Sequence, residues 1–313
     1  MKGTVTKSTG SWYNVRLDQT NEILACRMIG KFRLNGMKLT NPVAVGDKVE
    51  VEKESEGGII KEILNRENYV VRQSPRKKHQ LHLIASNVDQ AYLLVTIKNP
   101  NLKQGFIDRY ILMTEPYNIP VEIIFNKSDL MTEEDLALYK YLASIYESIG
   151  YGVHLISSIQ PESLLPLKEK MEQKVTLVGG QSGVGKSTFI NAILGNEELR
   201  TTDLSDYTGK GQHTTTFAEM FAVNENTYLI DTPGIKSLSF NHFEPKDVAH
   251  NFRELFETSA DCKFADCSHR NEPKCAVKDA IEDGKISELR YFNYIQLLED
   301  IEDQNYWERN KEM

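Results

Sequence analysis

Through the first 72 positions apolar residues recur at a spacing of two. Tyr13, Val15 and Leu17 alternate with polar residues, and Val43, Val45, Val49 and Val51 keep the same spacing. That period turns one face of each run inward and predicts short strands. Turn residues part the runs at Asn35-Gly36, Gly46-Asp47 and Gly57-Gly58. Several short strands in so small a segment predict a barrel of the OB type over 1–72. The stretch Arg72-Gln-Ser-Pro-Arg-Lys-Lys-His79 then gives 73–87 the character of a basic linker.

From 88 to 242 the texture changes. Ala91–Ile97, Val121–Phe125, Val153–Ile156, Val175–Val178 and Tyr228–Ile230 are short apolar runs, suited to strands covered on both faces. Helical spacing lies between them, at Ile107, Tyr110 and Ile111, then at Leu136, Tyr139, Ala143 and Tyr146. Thr132 and Asp135 form a capping signal ahead of the second helix. Alternating strands and helices predict a mostly parallel sheet. From 243 to 313 the chain reads as helical and acidic around a cysteine-rich loop, with Leu289, Phe292, Ile295, Leu298 and Ile301 on one face of a final helix. The whole is a multidomain α/β protein.

Composition changes this picture little. Hydrophobic residues make up 40% and charged residues 26%, ordinary for a soluble globular chain. No apolar stretch approaches the roughly 18 residues needed to span a bilayer. Met1–Thr9 lacks an apolar leader, so a cytoplasmic protein is expected. The net charge of −8 hides an asymmetry: residues 1–80 carry 15 Lys and Arg against 9 Asp and Glu. A basic front can dock RNA, although an ordinary solvated surface gives the same count. Nothing demands more than a monomer.

The chemistry starts at Gly180, Gln181, Ser182, Gly183, Val184 and Gly185, followed by Lys186, Ser187 and Thr188. This is a full P-loop pattern between a strand and a helical run. Its backbone N–H groups can curl around phosphates at a helix N-terminus. Lys186 is expected to reach the β- and γ-phosphates, and Ser187 to bind Mg²⁺. Asn126-Lys127-Ser128-Asp129 ends another apolar run. The Asp129 carboxylate only accepts hydrogen bonds, which suits the paired donors of a guanine edge. Ser157 and Ser158, after Val153–Ile156, would contact the same base. Asp231-Thr-Pro-Gly234 ends a further run, so Asp231 is a candidate for Mg²⁺ and Gly234 for the γ-phosphate. Each motif falls at the carboxyl end of a strand, where open α/β sheets bind ligands. Between them, Gly209–Thr216 reads as a mobile loop offering Mg²⁺ a threonine, Thr215 in preference to Thr214.

The order is unusual. Most GTPases begin with the P-loop and end with the base reader, whereas here Asn126–Asp129 precedes Gly180. A site assembled in space survives such a circular permutation. Further on, Cys262-x4-Cys267-x-His269-x5-Cys275 supplies three thiolates and an imidazole, a closed tetrahedral shell for structural zinc. Cys26 stands apart as a buried small hydrophobe.

This succession of motifs resembles the circularly permuted, ribosome small-subunit-dependent GTPases of bacteria, the RsgA/YjeQ family. The resemblance covers nearly the whole chain. It implies a late assembly factor for the small ribosomal subunit, a weak GTPase stimulated by that subunit, and rRNA contacts by the OB-like and zinc-bearing domains. The pair Ser157-Ser158 departs from the Ser-Ala commoner in GTPases. The glutamine that often follows the Asp-x-x-Gly motif is missing, since Ile235-Lys236-Ser237 stands there. His213, on the mobile loop, is therefore the candidate to position water, with Lys186 as its partner in catalysis. Rival classes are an RNA-binding scaffold with a structural nucleotide and an ATP-driven remodelling enzyme. Intact Lys186, Ser187 and Asp231 count against the first, and Asp129 against the second.

Overall fold

The computed structural model describes residues 1–28, 41–73, 81–195, 217–233, 240 and 243–309, with backbone alone at 73 and 304–309. His213, Thr214, Thr215 and Gly234 lie outside these described residues.

Five strands form the front of the molecule: β1 (Lys2–Ser8), β2 (Tyr13–Leu17), β3 (Ile23–Met28), β4 (Lys48–Lys53) and β5 (Gly58–Ile63). They run in the order β1-β2-β3-β5-β4, and pairing of β4 with β1 closes the ring. Val5, Val15, Cys26, Val49 and Ile60 fill its interior; of these, Val15 and Val49 lie on the alternating runs read from the sequence. Burial pushes the Cys26 thiol up to about 11, so it packs as an apolar group. Val43 and Val45 are buried but make no strand; Val45 joins Ala85 in a single bridge. The turn at Gly46 (φ 94°) ends that run, and a Cβ there would lie 2.0 Å from the Ser86 carbonyl oxygen. Asp47, fully buried, holds this corner. It pairs with Arg66 at 2.6 Å and accepts from the Ser86 hydroxyl at 2.6 Å and the Ala44 N–H at 2.8 Å.

The expected linker over 73–87 needs correction. Leu81–Ser86 is a strand, β7, paired antiparallel with β6 (Tyr69–Gln73). The positive charge of Arg76–His79 suggests a linker, but Leu83, Ile84 and Ala85 are buried and supply the force for pairing.

Behind the barrel stands a six-stranded sheet of β8 (Gln90–Val95), β9 (Val121–Phe125), β10 (Gly152–Leu155), β11 (Val175–Gly180), β12 (Glu219–Ala222) and β13 (Tyr228–Asp231). Its order is β10-β9-β8-β11-β13-β12, parallel except for β12. Alternate residues divide between two cores. Leu93, Val95, Phe125 and Ile230 face α1 (Phe106–Thr114) and α2 (Glu133–Ser148). Tyr92, Leu94, Ile124 and Val178 face α3 (Leu165–Met171) and α4 (Lys186–Leu194). The capping box at α2 forms as expected, with the Asp135 N–H donating to Thr132 Oγ1 at 3.3 Å and the Thr132 N–H to Asp135 at 3.0 Å. A bridge of Lys7 to Glu219 carries the sheet into the barrel.

Among the described residues that follow, four helices form: α5 (Pro245–His250), α6 (Arg253–Ser259), α7 (Ala276–Glu282) and α8 (Glu288–Arg309). The apolar stripe expected on α8 is shifted. Leu298 and Ile301 are buried, but Phe292 is half exposed, and the inner face runs Arg290, Asn293, Tyr294, Leu297, Leu298, Ile301. Steps of three lag the helical turn by about 60° each, so a run spaced by three drifts off one face.

Polar residues of α1 hold this region. Arg290, 1% exposed, meets Asp108 at 2.5 Å and Glu254 at 2.7 Å. Asn293 also donates to Asp108, and Tyr146 donates to it at 2.8 Å. Arg109 pairs with Asp300, and Arg253 with Glu115 at 2.5 Å.

Candidate nucleotide and metal sites

The carboxyl ends of β8, β9, β11 and β13 converge on one edge of the sheet. After β11 the chain turns through Gln181–Gly185 into α4, and Gly185 adopts φ 91°. A Cβ on Gly185 would fall 2.5 Å from Asn126 Nδ2, so only glycine lets that side chain lie on the loop. The approach is used: Asn126 Nδ2 donates to the Val184 carbonyl at 2.9 Å. Lys127 reaches the same loop, its Nζ donating to the carbonyls of Gly183 at 2.8 Å and Asn99 at 2.5 Å. Two segments separated by more than fifty residues thus lock together side by side.

Lys186 donates to the carbonyls of Gly180 at 3.0 Å and Gln181 at 3.2 Å. Burial lowers the pKa of its ammonium, against an opposing pull from Asp231. Asp231, almost fully buried at the end of β13, therefore shares the electrostatic environment of the P-loop lysine. Thr232 ties this strand end to β11, donating to the Val178 carbonyl at 2.8 Å. Ser187 is half-buried in the first turn of α4, whereas Ser182, Gly183 and Thr188 are exposed.

Beyond Lys127, Asp129 is exposed, and it accepts from the Ser157 hydroxyl at 2.5 Å. Asn126 Oδ1 accepts from both the N–H of Ser158, at 3.0 Å, and its hydroxyl, at 2.9 Å. The two serine hydroxyls thus donate to the first and last side chains of the Asn126–Asp129 motif, Asn126 and Asp129. Ser163, which sequence reasoning did not single out, accepts from the Ser157 N–H at 3.1 Å. Thr96 and Asn99 were also missed. The Thr96 hydroxyl donates to the Pro100 carbonyl at 2.7 Å, shaping the turn that offers Asn99 to Lys127. Their signal was position, since they follow β8 at the ligand edge of the sheet.

Cys262, Cys267, His269 and Cys275 come together with all their ligand atoms within 4.8 Å of one another. His269 Nδ1 lies 3.7 Å from the Cys262 sulfur and 3.4 Å from that of Cys275, and those two sulfurs are 4.0 Å apart. Zn–S bonds of about 2.3 Å and Zn–N bonds of about 2.0 Å in a tetrahedron give edges of this size. Glu272 shapes the loop, accepting from the N–H of Ser268 at 2.7 Å and of Arg270 at 2.9 Å. Tyr291 donates to the His269 carbonyl at 2.7 Å. The donor set could hold one metal ion, with no ligand position left open for chemistry.

Fold and site together define a P-loop nucleotide hydrolase of the GTPase class with its motifs in permuted order. The model of the RsgA GTPase matches residues 63–241, and that of the RsgA N-terminal domain matches residues 2–60. A small ribosomal subunit biogenesis GTPase RsgA of Bacteroides fragilis is 45% identical over 98% of this chain and 99% of its own. One of Phocaeicola vulgatus is 47% identical with the same coverage. The crystal structure of YjeQ from Thermotoga maritima matches with a TM-score of 0.75 at 32% identity, covering 96% of this chain and 98% of its own. YloQ, described as a circularly permuted GTPase, matches with a TM-score of 0.71 at 31% identity, over 97% of this chain and 95% of its own. The chain belongs to the RsgA GTPase family.

Proposed function

We propose that this GTPase acts in the late assembly of the small ribosomal subunit, in the cytoplasm and as a monomer, converting GTP and water to GDP and phosphate. The observation that carries the nucleotide reading is the pair of bonds from Asn126 and Lys127 to the P-loop carbonyls. They set the guanine-reading motif against the phosphate-binding loop. Asp129 then reads the base, supported by the Ser157-Ser158 segment. The backbone from Gly180 to Gly185, with Gln181, Ser182 and Val184 among its amides, cradles the phosphates together with Lys186 and Thr188. Mg²⁺ is held by Ser187, Asp231 and Thr215, and Gly234 senses the γ-phosphate. Mg²⁺ would neutralise charge on the phosphates.

His213 positions the attacking water in subunit-stimulated turnover. We assign residues 1–72 to an RNA-binding OB-like domain, 88–242 to the GTPase domain and 243–313 to a helical domain. In the last of these Cys262, Cys267, His269 and Cys275 hold one structural zinc. The partner follows from the relatives named above, which are small-subunit biogenesis GTPases. The test is GTP turnover with and without purified small subunits. Stimulation supports the ribosomal role, and turnover indifferent to subunits, yet specific for GTP, would remove that role alone.

A further inference from the structure

Asn126 joins the P-loop to the Ser157-Ser158 segment, and its amide can serve only in one orientation. The Val184 carbonyl accepts only, so Nδ2 must face it, and Oδ1 must face the opposite way. There Oδ1 meets two donors from one residue, the N–H and the hydroxyl of Ser158. Both side chains are buried, Asn126 at 1% and Ser158 at 7% exposure. The backbone N–H would be present whatever residue stood at 158, whereas the hydroxyl belongs to serine. Asn126 also lies directly on Gly185, at the start of α4, so a turned amide would place its oxygen against the carbonyl of the P-loop. Two like acceptors facing each other in a buried site cost a hydrogen bond and repel.

We infer that Ser158 is a positioning residue for GTP binding: its hydroxyl fixes the Asn126 amide, and through it couples the guanine-reading segment to the phosphate loop. The inference rests on the reading of this site as the GTP site and gives Ser158 a role through Asn126 in place of a direct contact with the base.

The experiment compares Ser158→Ala, Ser158→Thr, Asn126→Ala and the Ser158→Ala/Asn126→Ala double variant in the full chain, by GTP turnover and thermal melting. One net hydrogen bond corresponds to roughly a five-fold change. Ser158→Ala should raise KM for GTP by about that factor while the loss in kcat stays within about two-fold. Ser158→Thr, which keeps the hydroxyl, should restore KM. In the Asn126→Ala background Ser158→Ala should add nothing, because its target is gone. An unchanged KM, or the same penalty with Asn126 absent, would overturn the assignment. If the unsubstituted chain took ATP as readily as GTP, the GTP reading itself would fall. A missing KM effect in a chain that does prefer GTP falls on Ser158 alone.

Discussion

Arg290 is a fully buried cation, and Arg290→Met tests what it holds together. Its guanidinium is buried between Asp108 of α1 and Glu254 of α6, with contacts of 2.5, 2.7 and 3.0 Å. Methionine fills much of the same volume but leaves two carboxylates buried without their cation. Removing one partner of a buried pair costs about 3–5 kcal/mol, most of it the desolvation of the charges left behind. For a folding unit of this size each kcal/mol lowers Tm by roughly 2–4 °C, so a fall on the order of 10 °C is expected. The assay is thermal melting followed by far-UV circular dichroism at constant zinc, with Asp108→Asn added to the variant. That second change removes one of the stranded charges and should recover part of the loss. Lys53→Met, which removes an exposed pair with Glu22, should leave Tm in place. If Arg290→Met melts within a degree or two of the unsubstituted chain, or if Asp108→Asn deepens the loss, the buried trio does not hold the C-terminal helices onto α1.

Three further outcomes follow from other parts of the molecule. Metal analysis of the purified chain should give one zinc, and stripping it with a strong chelator should unfold the 262–275 loop, read as loss of protection from proteolysis there; full protection after removal would contradict a structural role. Asp135 is held down to about 2 by the Lys98 ammonium and the Thr132 donors. A depressed carboxylate stabilises the fold fully above its ordinary value near 4 and loses that contribution as pH falls toward 2. The urea midpoint of the chain should therefore drop over that window and drop less in Asp135→Asn; parallel pH curves would refute the assignment. His213→Ala should cut subunit-stimulated turnover by about ten-fold or more while GTP affinity holds; full stimulated turnover would remove His213 from the mechanism.

The candidate nucleotide site is legible in the sequence because each motif there serves a local need. A glycine-rich turn, a carboxylate after a strand and a cap before a helix are recognisable within a few residues. The period of two in β2 and β4 and the apolar runs of β8, β9, β11 and β13 were legible for the same reason. What stayed hidden depends on distant partners. Arg290 reads as a solvated charge until Asp108, 182 positions away, is brought against it. β7 was masked by the basic residues before it, although Leu83–Ala85 are buried. The stripe on α8 was misplaced at Phe292 because a spacing of three mimics a helical face over a short run. Asn99 contributes a backbone carbonyl, which leaves no trace in residue type.

The central claim is that Asp129 and Lys186, 57 positions apart along the chain and in permuted order, grip opposite ends of one nucleotide. Competition binding with a fluorescent guanine nucleotide tests it most directly, in the unsubstituted chain, in Asp129→Asn and in Asp129→Asn combined with Lys186→Ala. The account predicts that Asp129→Asn weakens GTP and favours xanthosine triphosphate, whose 2-oxo group accepts from an amide, and that Lys186→Ala then abolishes the gain. A chain in which Asp129→Asn leaves the choice between GTP and xanthosine triphosphate unaltered would contradict it.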